Sequence, residues 1–231
     1  MKRVVVVLFV VSMFIVVSRD LASSYYSFYG FYDNFGELNV KIGGHFFGKM
    51  NANYKNPDFN DRNGVRDSDI GVTFTGEYLI SCAHLLGDIE ILKLGAGFSY
   101  LLPTDINTSN SNYSCSYLPI YFTLQVNPFI NSFDEYLHGI FVKGNIGYNV
   151  LFDFKAGNLP NCKFDNSGGI YYSFSTGYEV PFGVIIDLGY NGYTSTSKVS
   201  EYNSAGIIGN KESIDLAYSN ITLSVGYKFK I

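Results

Sequence analysis

Beyond its first few dozen residues the chain alternates apolar and polar positions, and the last stretch shows the pattern most clearly. Ile221, Leu223, Val225, Tyr227, Phe229 and Ile231 fall on one side; Thr222, Ser224, Gly226, Lys228 and Lys230 fall on the other. Side chains of a strand alternate faces with period 2, so this stretch predicts a strand with one apolar and one polar, glycine-bearing face. Seven earlier stretches repeat it. Their apolar faces run Leu38 to Phe46, Ile70 to Ile80, Leu92 to Tyr100, Leu118 to Val126, Ile140 to Phe152, Ile170 to Val180 and Val184 to Tyr190. The opposite faces carry Lys41 and His45, Glu77, Lys93, Gln125, Lys143, Glu179 and Asp187 among Gly, Ser, Thr and Asn.

Eight such strands predict an all-β fold, an antiparallel up-and-down barrel. An even count lets the sheet close without a free edge, and lipid demands that of strands. The apolar face then points outward. Val40, Phe74, Leu94, Phe122, Ile146 and Leu188 are expected against lipid, and the polar face against the lumen. A soluble lipocalin-type barrel would reverse the two faces, but the Gly- and Ser-rich face is unsuited to an apolar ligand. The connections sort in the same sense. Residues 51–66, 103–114, 155–167 and 198–214 read as long loops rich in Asn, Ser, Asp and Gly; 83–88, 129–136 and 182–183 read as short turns. Bacterial barrels place long loops outside and short turns on the periplasmic side.

Composition agrees. Charged residues make up only 16%, yet Tyr and Phe number 20 each and Gly 24, a mixture suited to strands and turns rather than to membrane helices. No basic patch suggests nucleic acid. Residues 1–18 read as a secretory signal, with Lys2 and Arg3 before an apolar run from Val4 to Val17 that is too short to span as a helix. Cleavage after Ser18 or as late as Ser23 leaves residues 19–35 as a periplasmic lead-in and 36–231 as the barrel domain.

Three segments carry a family resemblance: Tyr117-Leu118-Pro119-Ile120-Tyr121-Phe122-Thr123-Leu124, Val142-Lys143-Gly144-Asn145-Ile146-Gly147-Tyr148-Asn149 and Ser224-Val225-Gly226-Tyr227-Lys228-Phe229. They resemble the small eight-stranded outer-membrane β-barrels, of the outer membrane protein A and X type. The resemblance implies a bacterial outer-membrane location, a monomer in contact with outer-membrane lipids, and recognition by the barrel-assembly machinery. Tyr227, Phe229 and Ile231 resemble the terminal assembly signal. Ile231 stands where the family usually ends in Phe, which implies a weaker signal.

Pairing strands through their connections sets Lys41 beside Glu77, Glu77 beside Lys93, Lys93 beside Gln125 and Gln125 beside Lys143. Lys143 then adjoins Glu179, Glu179 adjoins Asp187, and Asp187 reaches Lys228, with the register open by steps of two. Such a belt is a salt-bridged plug or the selectivity ring of a narrow pore for small solutes or ions. An eight-stranded barrel is just wide enough for its own side chains, and buried charges need partners, so the plug is the stronger expectation. The function expected is membrane structure, or surface contact through the four long loops toward a ligand the sequence does not name. Cys115 and Cys162 border neighbouring long loops, and either a disulfide or two thiols fits. Cys82, His84 and His138 are too sparse to predict a metal, and no cofactor is expected. No Gly-x-Ser-x-Gly or His-Glu-x-x-His occurs, and His45 reads as a packed polar side chain, so no enzyme is expected.

Overall fold

The computed structural model describes residues 36–54, 64–68, 70–82, 91–107, 112–131, 133, 135–156, 162–180, 182–202 and 208–231. The expected signal and lead-in lie outside the described residues, as do parts of the connections, among them 55–63, 83–90, 108–111, 157–161 and 203–207. Ten strands are present among the described residues: β1 Glu37–Tyr54, β2 Gly64–Ser68, β3 Gly71–Ser81, β4 Leu92–Asn107, β5 Asn112–Val126, β6 Ile140–Ala156, β7 Cys162–Ser167, β8 Gly169–Glu179, β9 Val184–Tyr202 and β10 Ile208–Lys230. All pairings are antiparallel. The wall runs β10-β1-β3-β4-β5-β6-β8-β9, and β9 pairs back onto β10 to close it. β2 continues β3 along β1, and β7 continues β8 along β9, so two of the eight wall strands are each broken in two.

The alternation read from the chain is the alternation of the wall. Phe122 is 75% exposed and Ile146 65%, while Lys41 is 5% and Thr123 3%. Val40, Phe74, Leu94 and Leu188 also face outward. A folded chain that exposes its large apolar side chains and buries its lysines is solvated by lipid. Ile221 to Ile231 on β10 marks the height of this band. At a rise of about 3.3 Å per residue and a tilt near 40° it spans about 25 Å, the thickness of the apolar band on outer-membrane barrels.

Above the band the pleat changes phase. Register shifts between Phe46 and Lys49 of β1, where Phe47 takes a positive φ of 52°. One inserted residue sends every later side chain to the other face. Odd positions point inward up to His45; beyond the bulge Met50 and Ala52 are buried while Lys49 and Asn53 are exposed. Similar shifts fall between Leu101 and Thr104 of β4, and between Phe152 and Lys155 of β6. The interior therefore turns apolar where the exterior turns polar.

The expected long loops are largely strand, a correction to the sequence reading. Segments 51–54, 64–68, 103–107, 162–167, 198–202 and 208–214 extend the wall beyond the lipid band. No backbone pairing joins β2 to β4 or β6 to β7 among the described residues. The extension is thus two facing sheets, β2-β1-β10-β9-β7 and β4-β5-β6. Between them lie Met50, Ile214, Leu216 and Val199 from one side, and Leu101, Leu151 and Phe154 from the other. Phe154 meets Phe164 edge-on across the β6–β7 seam, with ring centroids 5.3 Å apart. Each such side chain contributes about 1.5–3 kcal/mol on burial, so this part is held by a sandwich-type core rather than by lipid.

Candidate functional site in the lumen

Four layers fill the barrel. At the periplasmic end Lys93 Nζ lies 2.8 Å from Glu37, and Lys228 Nζ contacts both Glu37 (3.5 Å) and Glu179. Leu79, Phe141 and Ile185 are buried at this level, so the floor is ion-paired and packed at once.

The second layer is a buried quartet. β1 supplies Lys41, β3 Glu77, β6 Lys143 and β9 Asp187, drawn from opposite sides of the wall. Lys41 Nζ lies 2.6 Å from Asp187 and 3.1 Å from Glu77; Lys143 Nζ lies 2.9 Å from Glu77 and 3.6 Å from Asp187. Tyr121 donates its hydroxyl to Glu77 at 3.0 Å. Two cations and two anions cancel, and each touches both opposite charges. That arrangement offsets desolvation costs that would otherwise be several kcal/mol per ion.

Above the quartet lies a cavity of about 40 Å³, bordered by Thr75, Ser99, Asn145, Ser175 and Asn191. One water needs about 10–15 Å³ on that measure, so the space fits about three. Small-molecule sites occupy roughly 300–1,000 Å³, an order of magnitude more. Asn145 Oδ1 and Ser175 Oγ border it without a protein hydrogen bond, and water suits both.

A tyrosine layer closes the cavity from above. Tyr121 packs on Tyr171 (5.1 Å), Tyr171 on Tyr193 (5.2 Å), and Tyr117 stacks on Tyr193 and Tyr218 at 5.1 and 5.7 Å. The apolar core of the extension forms the fourth layer. Rings whose centroids lie about 4.5–7 Å apart are in mutual contact.

The expected belt is thereby redrawn as two groups. Lys41 and Glu77 do meet, and Lys93 is the ladder partner of Gln125, as Gln125 is of Lys143. Glu77 opposes Gly97 rather than Lys93, Lys143 opposes Ser175 rather than Glu179, and Asp187 opposes Ser224 rather than Lys228. Gln125 donates to Asn127 at 3.0 Å and joins neither group. Closure of a barrel shears neighbouring strands, so residues at one height are not ladder partners. Glu37 was missed, although it shares the parity of Asn39 and Lys41 and that signal could have found it. The inward tyrosines Tyr117, Tyr121, Tyr171, Tyr193 and Tyr218 were missed although each shares the inward parity of its strand, Tyr121 with Thr123 and Tyr171 with Ser173.

Cys115 is buried in the apolar core, but the side chain of Cys162 lies outside the described residues, and their expected pairing with it. Cys82 is buried and His84 is not described; no group of His, Cys, Asp or Glu among the described residues is set to hold a metal. His45 is fully buried, 6.4 Å edge-on from Tyr218. Tyr227, Phe229 and Ile231 all project outward at the foot of β10.

No family model and no curated protein sequence matches the chain. Solved structures do. The outer membrane protein OprG of Pseudomonas aeruginosa superposes with a TM-score of 0.51 at 14% identity, over 86% of this chain and 98% of that one. The outer membrane protein AlkL, determined in lipid bilayers, superposes with a TM-score of 0.51 at 16% identity, over 86% and 92%. At such identity the likeness concerns the fold. Together with the lipid-facing band and the closed wall, it shows that the chain has the fold of the eight-stranded outer-membrane β-barrels.

Proposed function

We propose that this barrel is occluded and non-enzymatic, and that it works as a membrane-structural or surface-contact protein rather than as a pore. The filling of the lumen carries the proposal: an ion-paired floor, the Lys41–Glu77–Lys143–Asp187 quartet, the tyrosine layer and the apolar core succeed one another along the axis. A solute would have to break all four. Side chains that fill a lumen and pair their charges stabilise a wall; they do not conduct.

The two-sheet extension supports the second half of the proposal. It holds the four connections away from the lipid on a packed core, and loops on a rigid scaffold are where contact surfaces are commonly built. The chain acts as a monomer in this account, and β10 with Tyr227, Phe229 and Ile231 serves recognition by the assembly machinery.

Liposome swelling tests the proposal. Vesicles carrying the refolded protein should swell in isotonic small sugars or amino acids no faster than protein-free vesicles. Swelling whose rate falls with solute size would establish the runner-up, a narrow pore.

A further inference from the structure

The outer wall is hollow where β8 hands over to β7. β8 pairs with β9 up to Tyr171–Tyr193, and β7 resumes the pairing at Ser167–Thr196. Four steps on one side match three on the other, so the chain bulges at Gly168–Gly169. No side chain fits there. A Cβ on Gly168 would collide with the Asn149 carbonyl, and one on Gly169 with the Thr194 carbonyl. Ala217 of β10, the ladder partner of Thr194, is small as well. The outer surface is therefore bare over β8, β9 and β10, and a groove of about 330 Å³ lies across it. That volume is at the low end of the range for small-molecule sites.

Polar groups border the groove. Asn53 of β1, Thr196 of β9 and Asp215 of β10 stand on the outward face, and Thr196 Oγ1 donates to Asp215 Oδ1 at 3.1 Å, which orders the carboxylate. Thr194 Oγ1 accepts from Ile170 N at 2.7 Å and donates to Ile170 O at 3.3 Å, closing the wall that the bulge interrupts. The exposed ring of Tyr148 lies beside Gly168 at the groove's edge. Two buried polar atoms at the handover have no hydrogen-bond partner in the protein. One is Ser195 Oγ, on a residue that borders the groove; the other is Asn149 Oδ1, whose Nδ2 donates to the Thr194 carbonyl at 3.2 Å. Buried polar atoms normally have partners, so a polar neighbour from outside the chain suits this stretch of wall.

Height and charge narrow the occupant. Asp215 lies six residues above Ile221, the top of the lipid-facing band on β10. That is about 15 Å along the barrel axis, clear of the acyl chains. Among the described residues no Lys or Arg borders the groove, so it offers no cation to a phosphate or sulfate. An ordered carboxylate, a side-chain amide and hydroxyls suit a diol, and a tyrosine ring suits the apolar face of a sugar.

We propose that this groove binds a neutral saccharide of one or two pyranose units, with Asp215 accepting from its hydroxyls and Tyr148 against its apolar face. Binding here rests on the surface-contact role of the extension and gives that role a ligand class. The same sugar chemistry is offered by a soluble glycan and by a glycolipid of the outer leaflet.

Isotope-labelled protein, refolded as the full barrel into phosphatidylcholine nanodiscs, reports binding through the backbone amides of Gly168, Gly169, Thr194 and Ala217. Glucose, mannose, N-acetylglucosamine and lactose are added free in one arm; lactose is carried on a lipid in the other. At least one of these sugars should shift the four amides saturably, and glucose 6-phosphate should not. Ala217→Phe fills the groove from an exposed position and should abolish the shifts of the other three. Asp215→Asn keeps the shape and should weaken binding about tenfold. Heat-modifiable gel migration confirms that each variant is folded. Shifts in the free arm assign a soluble glycan, and shifts in the lipid-borne arm alone assign a glycolipid. No saturable shift in either arm, shifts that survive Ala217→Phe, or equal shifts with glucose 6-phosphate would overturn the proposal. Failure here while vesicles still do not swell removes the sugar alone; size-dependent swelling removes the proposed function instead.

Discussion

Replacing Glu77 with Gln probes the quartet most sharply. Glu77 is fully buried and receives Lys143 at 2.9 Å on both carboxylate oxygens, Lys41 at 3.1 Å and the Tyr121 hydroxyl at 3.0 Å. Gln keeps the shape and removes the charge. Lys41 retains Asp187 at 2.6 Å, but Lys143 is left with that same carboxylate at 3.6 Å, so two ammonium groups share one anion. Breaking a buried pair typically costs about 3–5 kcal/mol. The adjacent cavity admits water, which places the expected loss at about 3 kcal/mol. The quartet's neutrality supplies a rescue: Glu77→Gln combined with Lys143→Met removes one charge of each sign and leaves the Lys41–Asp187 pair intact. The double variant should therefore be more stable than Glu77→Gln alone, a coupling of opposite sign to simple additivity. Urea unfolding of the refolded barrels in vesicles measures both. If the two losses merely add, the lysines and carboxylates do not act as one group.

Other parts of the account are as open to measurement. Ile146→Arg, on the lipid face, should cost about 2–4 kcal/mol if the site lies near the bilayer midplane, and a spin label there should report a dry, oxygen-rich surrounding. Gly147→Ala should prevent or severely weaken folding, because an added Cβ would collide with the Ile120 carbonyl and the Tyr121 backbone, whereas Gly144→Ala meets nothing within 4 Å and should be neutral in the same unfolding assay. Deleting Phe229–Ile231 should abolish recovery of a protease-resistant, heat-modifiable barrel from the outer membrane, while polar replacement of Lys228 alone should leave insertion intact.

The outer surface was legible because lipid imposes one rule on it. Val40, Phe122 and Ile146 had to be apolar, their neighbours in the lumen did not, and period 2 separates them without any knowledge of register. Inside, no such rule applies. The Lys41–Glu77 contact was found because both residues follow the inward parity of adjacent strands. Glu77–Lys143 was not, since it crosses the lumen between strands that are not neighbours. The extension was hidden by its bulges. Met50 and Ala52 are out of phase with Lys41 and His45, so a reading that carries one parity along β1 loses the strand at Phe47. Its exterior residues, Lys49 and Asn53 on β1 and Lys163 and Asp165 on β7, are those of a solvated loop. Ile214 and Leu216 are decisive only when the facing sheet that supplies Leu101 and Leu151 is in view.

The central claim is that the lumen is shut, and planar-bilayer recording tests it most directly. Wild-type protein inserted in a bilayer should show no steady unitary conductance in symmetric salt. Glu77→Gln, which leaves the quartet with an uncompensated cation, should show intermittent leak at most. Reproducible wild-type channels whose ion preference followed the charges at Glu77 and Lys143 would contradict the account and establish a pore.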